Sequence, residues 1–181
     1  MIEFFFSQYK DYQTYDIVLE IIAVILGIAS VWYAKKDNIL VFPTGMISTF
    51  IYVYLLWKWT LWGDMMINGY YFTMSVYGWY CWTRKKDGIV EFPISVISNA
   101  EKRMSLLIFI FTTAFVVAVY LYFDKFNTWY ACVDTFVTGI FFIGMWLMAK
   151  RKIENWVFWI IGDLVSIPLY FCKGLFFTSF Q

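Results

Sequence analysis

Polar and charged residues gather in a few short breaks, and between the breaks the chain stays apolar for about 20 residues at a time, the length a helix needs to cross a bilayer. Six such runs are visible, at roughly 15–34, 39–61, 65–82, 104–123, 129–149 and 156–177. The breaks read KKDN at 35–38, TRKKDG at 83–88, EKR at 101–103, DK at 124–125 and KRKIEN at 150–155. Lipid offers no hydrogen bonds to an open backbone, so runs of this length are expected to be helices. They lack the two-residue alternation of a membrane barrel strand. The pattern predicts an all-α integral membrane protein, one transmembrane domain over 1–181.

Composition agrees. Of the 181 residues 62% are hydrophobic and only 15% charged, against about 45–50% and 25% in a soluble domain. Too little polar surface remains to cover a water-soluble enzyme. The first residues, MIEFFFSQYKDYQ, have no basic stretch ahead of an apolar one, so no cleavable signal peptide is expected. Loops carrying Lys35, Lys36, Arg84, Lys85, Lys86, Lys102, Arg103, Lys150, Arg151 and Lys152 fall on one side, and Lys10, Lys58, Lys125 and Lys173 on the other. Ten cations against four orient the chain as a multi-pass membrane protein with its N-terminus outside and the basic loops in the cytoplasm.

The absence of histidine removes imidazole acid–base chemistry, Ser–His and Cys–His pairs and most zinc or iron sites. Cys81, Cys132 and Cys172 sit in apolar runs without ligand spacing, so neither a disulfide framework nor a metal site is expected. A net charge of +1 offers no field for nucleic acid. No catalytic residue, cofactor or metal is expected. The expected partners are the lipid bilayer and a small-molecule substrate, with a homo-oligomer left open.

The chain also resembles itself. WYAKKDN after the first helix matches WLMAKRKIEN after the fifth. Aligning Ser48 with Ser166 and Tyr52 with Tyr170 sets an offset of 118. The expectation is a three-helix unit at about 15–82, a linker helix at about 104–123 that inverts the chain, and a second, parallel copy at about 129–181. Parallel copies of this kind enclose a substrate path in some transporters. The second copy would lack its last helix, so the expectation is a chain cut short after FFTSFQ.

The segments GDMMINGYYFTMSVYGWYCWTRKK, AKRKIENWVFWIIGDLVSIPLY and KGLFFTS resemble the PnuC family of bacterial vitamin transporters. The similarity runs from about Gly27 to the end of the chain, and YGW at 77–79 and ENWVFWIIGD at 154–163 are its most specific pieces. The resemblance implies a three-plus-one-plus-three arrangement like that of SWEET transporters. It also implies facilitated uptake of nicotinamide riboside, trapped by phosphorylation and feeding NAD synthesis; thiamine and riboflavin are alternative cargoes. It places substrate contacts at Asn155 and Trp159. The family's Gln before the Trp of helix 5 is Met145 here.

The residues themselves suggest a site. In the sixth helix Trp156, Trp159, Asp163, Ser166 and Tyr170 follow spacings of three and four, which puts them on one face. Trp faces attract cations and stack on flat rings, and an ionisable residue at membrane depth marks a functional site by default. Trp156 is equally suited to the interfacial aromatic belt. At offset 118, Trp159 falls on Val41 and Asp163 on Gly45, so neither keeps its chemistry in the first copy, as expected for groups that bind an asymmetric substrate. In the third helix Asn68, Ser75 and Trp79 share a face with Asp64, Tyr71 and Trp82 and suit either a substrate or a neighbouring helix. In the fifth, Asp134, Thr138, Phe141 and Met145 align. Ala23, Gly27, Ser30 and Ala34 form a small-residue stripe for close helix packing. Pro43 and Pro168 are expected to interrupt the hydrogen bonding of their helices, and 88–98 reads as a loop too short to span.

Two other classes fit the sequence less well. A rhomboid-type Ser–His dyad fails for want of histidine. A GxGD aspartyl site would need glycine at position 160, where the chain reads Ile160-Ile161-Gly162-Asp163. A purely structural membrane protein is disfavoured by the repeat and the asymmetric polar face.

Overall fold

The computed structural model describes residues 13–86, 89–90, 92–124 and 129–172, without the side chains of Trp62, Lys86, Ile89, Val90, Tyr170, Phe171 and Cys172. The N-terminal segment 1–12, Asp87, Lys125, the end of the sixth run and KGLFFTS lie outside the described residues. So do the Tyr170 and Cys172 side chains.

Six helices form where the apolar runs lie: α1 Thr14–Lys35, α2 Val41–Lys58, α3 Trp62–Thr83, α4 Asn99–Tyr122, α5 Trp129–Ala149 and α6 Asn155–Cys172. A short antiparallel pair, β1 Lys85–Lys86 and β2 Ile89–Val90, follows α3. Among the described residues α1, α4 and α5 are long and apolar enough to cross a membrane by length and composition. α2 and α3 are diluted by Tyr, Trp, Gly and polar residues, and α6 is apolar over Asn155–Leu169; the 18 residues of α2 or α6 extend about 27 Å at 1.5 Å per residue. The outer faces carry exposed Ile25, Ile28 and Val31 on α1 and Leu106, Leu107, Ile110 and Phe111 on α4, which suits a lipid solvent.

The chain divides into two compact units, one up to Trp79 and one from Tyr80. In the first, α1 lies against α2 through the predicted small-residue stripe. Ala23 is fully buried. Its carbonyl accepts the Ser48 hydroxyl at 2.7 Å, and Ser30 Oγ donates to the Val41 carbonyl at 2.8 Å. α3 adds to α2 at Gly78, where a Cβ would lie 2.2 Å from the buried Phe42 ring, and where Phe72 meets Phe50 at 6.1 Å. In the second unit α5 is the central helix, with Val137, Ile140, Ile143, Leu147 and Ala149 buried. α4 meets it at Gly139, where a Cβ would lie 2.8 Å from Phe109, and through Tyr120, whose hydroxyl donates to Asp134.

The α1–α2 and α5–α6 turns are built alike. In the first, Lys36 N donates to Tyr33 O, Asp37 N to Ala34 O, Asn38 N to Tyr33 O, Val41 N to Asn38 O and Phe42 N to Ile39 O. In the second, Lys150 N donates to Leu147 O, Arg151 N to Met148 O, Lys152 N to Leu147 O, Asn155 N to Lys152 O and Trp156 N to Ile153 O. Asp37 (φ 49°) and Arg151 (φ 56°) both occupy the left-handed region that closes a helix of this kind. Helix ends and bonds correspond at 114 residues (35 to 149, 41 to 155). The offset of 118 read from Ser48 and Ser166 is therefore a slip of one helical turn. Trp159 corresponds to Gly45, not Val41, and Asp163 to Thr49.

Pro43 also differs from expectation. It is the third residue of α2, where its missing N–H is one a helix start leaves unpaired anyway. Pro168 lies inside α6 and does remove a hydrogen bond.

The segment after β2 docks on the α5–α6 turn. Ser95 N donates to Arg151 O and Ser95 O accepts from Ile153 N, both at 3.1 Å. Lys152 Nζ reaches Ser95 Oγ at 2.9 Å and Glu101 at 3.0 Å. The Glu154 carboxylate accepts the Ile97 N–H at 3.0 Å. Ser98 and Glu101 then start α4 with a reciprocal capping box.

Candidate functional site

The α6 face begins where the turn ends. Asn155 is the first residue of the helix and is buried. Its Nδ2 donates to the Lys152 carbonyl, while its Oδ1 is buried without a hydrogen-bond partner among the described residues. A buried acceptor left in that state costs about 1–3 kcal/mol, so it is primed for a donor.

One turn further, Trp159 is half-buried against α5. Its indole stacks on Phe141 with ring centroids 5.3 Å apart and planes 33° from parallel, and a Cβ on Gly144 would lie 3.4 Å from its ring. Phe141 in turn occupies space that Gly162 leaves open, since a Cβ there would lie 2.3 Å from the phenyl ring. The spacing 155, 159, 162 therefore brings an unpaired amide oxygen, an indole and a backbone notch onto one side of α6. Trp156 is exposed at 38%, and Asp163 is also exposed. Ser166 is buried and donates to the Asp163 carbonyl at 3.3 Å; the Asp163 carboxylate is not used for this.

The α3 candidates are described in their own unit. Asn68 Nδ2 donates to the Asp64 carbonyl at 3.0 Å. Ser75 is buried, with its hydroxyl 3.6 Å from where a Cβ of Gly45 would stand, so it packs against α2. Trp79 is exposed.

Three features escaped the sequence reading. Gly144 and Gly162 shape the aromatic contact, and the signal was present: glycines at helical spacing in segments otherwise crowded with large side chains. The third joins the far ends of α1 and α2. Asp16 is 2% exposed and pairs with Lys58 at 2.7 Å. Lys58 also hydrogen-bonds the Tyr15 hydroxyl and lies 4.4 Å over its ring, and Tyr15 meets the Tyr54 hydroxyl at 3.2 Å. Forty-two residues separate the ion pair, and no local periodicity announces it.

Among the described residues no group of three or more His, Cys, Asp or Glu side chains is placed to hold a metal ion. The arrangement offers ring faces and an amide acceptor for a small planar molecule.

Comparison with known proteins gives four findings. A family model described as "Nicotinamide mononucleotide transporter" matches residues 17–181. The nicotinamide riboside transporter PnuC of Escherichia coli (strain K12) is 20% identical over 90% of this chain and 78% of its own length. The riboflavin/roseoflavin transporter RibM of Streptomyces davaonensis is 30% identical over 59% of this chain and 51% of its own. Among solved structures, a crystal structure of the vitamin B3 transporter PnuC superposes with a TM-score of 0.63 at 20% identity, over 89% of this chain and 72% of that one; this likeness establishes the fold.

Proposed function

As the chain belongs to the nicotinamide mononucleotide transporter family, and so is an integral multi-pass membrane transporter for a small vitamin and not an enzyme, we propose that its cargo is nicotinamide riboside. Transport is by facilitated diffusion, with phosphorylation inside the cell trapping the cargo for NAD synthesis. The observation that carries this reading is Trp159 stacked on Phe141, one turn from the buried oxygen of Asn155, which has no hydrogen-bond partner among the described residues. A pyridinium ring is both flat and cationic, which an indole face attracts. Its carboxamide N–H is a donor suited to that oxygen. Asp163 adds negative charge on the same helix for the cationic cargo, and Trp156 anchors the helix end or contacts cargo on its way in. Within the first unit Asn68 and Trp79 are further candidates for cargo contact, whereas Ser75 packs against α2.

The architecture that goes with this function is a pair of three-helix repeats, about 15–82 and 129–181, joined by a linker helix at about 104–123. The like-built turns at Asp37 and Arg151 support it. The excess of Lys and Arg in 35–38, 83–103 and 150–155 supports a cytoplasmic position for these segments, with the N-terminus outside.

A second reading, riboflavin as cargo, is favoured by the resemblance to RibM. Riboflavin is flat but uncharged, so it would use stacking without the cation–π term. Titration of the purified protein with nicotinamide riboside, thiamine and riboflavin separates these, followed by uptake into proteoliposomes with and without an imposed ion gradient. The expected result is tightest binding of nicotinamide riboside and uptake indifferent to proton or sodium gradients. Exclusive binding of riboflavin, or uptake only under an ion gradient, overturns the proposal.

A further inference from the structure

Two helix contacts that correspond at 114 residues carry their bulk on opposite sides. In the first hairpin Gly27 faces Ser48 and Gly45 faces Ser30, with would-be Cβ distances to the serine hydroxyls of 3.4 Å and 3.0 Å. In the second, Phe141 faces Gly162 and Trp159 faces Gly144. Both serines have become glycine and both glycines have become aromatic. The serines of the first hairpin tie the helices to each other's backbone, Ser48 to Ala23 O and Ser30 to Val41 O. The second hairpin gives up those two ties and spends the space on two rings in mutual contact.

We infer that Phe141 is a positioning residue for the transported molecule: seated in the notch of Gly162, it backs the Trp159 indole and fixes which face that ring turns outward. This rests on the reading of Trp159 as a cargo contact. A planar cargo cannot enter between the two rings. An intercalated ring needs roughly 7 Å, twice the contact distance of about 3.5 Å between carbons, and the centroids are 5.3 Å apart. The cargo therefore lies on the indole face turned away from Phe141. A backing ring holds that face still and leaves no space for the indole to swing into, so less side-chain freedom is lost on binding. Gly162 serves the same end indirectly. Any side chain there collides with the phenyl ring at 2.3–2.9 Å and pushes it into the indole.

The test uses the full-length protein with nicotinamide riboside as the probe, and riboflavin as a second planar probe. Four variants are compared: Phe141→Tyr, Phe141→Leu, Trp159→Ala, and the double variant Phe141→Gly with Gly162→Ser. The double variant copies a pair that already packs between α1 and α2, so it keeps the helix contact and removes only the ring. Phe141→Tyr should bind within about twofold of the parent. Phe141→Leu and the double variant should each bind about 3- to 10-fold more weakly, the range for an aromatic pair contact, with KM raised, maximal uptake rate kept and the thermal transition near the parent's. A residue that only holds the fold would lower the thermal transition and leave KM alone. Should the double variant not fold, the Leu and Tyr variants decide: equal affinities overturn the inference. Parent-like binding by the double variant while Trp159→Ala binds weakly also overturns it and leaves the cargo site standing. Parent-like binding by Trp159→Ala removes the cargo site and the positioning role together.

Discussion

Gly78→Ala is the sharpest test of how the first unit is packed. Gly78 is the middle of the YGW segment and faces the fully buried Phe42 ring. A methyl group there would lie 2.2 Å from Phe42 Cε1, 2.5 Å from Cζ and 3.1 Å from Cδ1. Carbon atoms in contact prefer about 3.5–4.0 Å, so the ring must retreat by more than 1 Å. Phe42 is held in the first turn of α2 by its N–H bond to Ile39 O at 3.2 Å, and its ring is closed in on all sides. Overpacking of this kind costs about 1–3 kcal/mol. Replacing glycine by alanine inside a helix returns about 0.5–1 kcal/mol. The net expectation is a loss of about 1–2 kcal/mol, read as a lower apparent thermal transition of the purified protein in detergent at one scan rate. Phe42→Leu alone should also destabilise, because it leaves part of the ring's space empty. Together the two changes should relieve each other, so the double variant loses less than the sum by about 1 kcal/mol. Additivity within about 0.5 kcal/mol, the behaviour of independent sites, would refute the contact, as would a Gly78→Ala variant more stable than the parent.

Trp159→Ala should weaken nicotinamide riboside binding about 5- to 30-fold, the equivalent of about 1–2 kcal/mol of cation–π contact; Trp159→Phe should retain part of it and Trp156→Ala most of it, as titration of folded variants would show. Cysteines placed at Asp37 and Arg103, in a background without Cys81, Cys132 and Cys172, should resist an impermeant thiol reagent added outside intact cells, and labelling of both from outside would reverse the proposed orientation. Ser98→Ala removes the capping box of α4 at a cost of about 1 kcal/mol, and Glu154→Gln weakens the acceptor for the Ile97 N–H. Each should speed amide exchange at Ile97, and unchanged rates would mean that the docked segment is held by something else.

Much of this protein was legible before any tertiary contact was known. The six helices follow from run length alone, because bilayer thickness sets a length of apolar chain that charges interrupt only at the ends. The small-residue stripe on α1 was legible for the same kind of reason: close approach of two helices demands small side chains on each, and Ala23, Gly27 and Ser30 do face α2. Asn155 and Trp159 were legible as candidates through ENWVFW, although nothing local separates a cargo contact from a packing one. Ser75 shows the difficulty, since a polar residue on a helix face suits a ligand or a neighbour equally, and only the position of Gly45 beside it shows that it packs on α2. The docking of 92–98 on the α5–α6 turn depends on Lys152 and Glu154 meeting Ser95 and Ile97 across 57 residues, and no pattern within either segment encodes that meeting.

The register in which the two hairpins correspond was decided by tertiary structure. Matching like letters, Ser48 to Ser166 and Tyr52 to Tyr170, selects an offset one helical turn too long. The hydrogen-bonded turns at Asp37 and Arg151 select 114, and in that register the equivalent positions are chemically unlike: Gly27 and Phe141, Ser48 and Gly162, Ser30 and Gly144, Gly45 and Trp159. What the two hairpins share is the fit of a pair, one side chain growing where the residue facing it shrinks. A close-packed interior constrains the volume shared across a contact, and that is a property of two positions on different helices. The sequence by itself could determine that helices of these lengths cross a membrane with small residues where they touch. Which glycine opens room for which ring, and hence where the Trp159 face points, is settled when α5 and α6 come together.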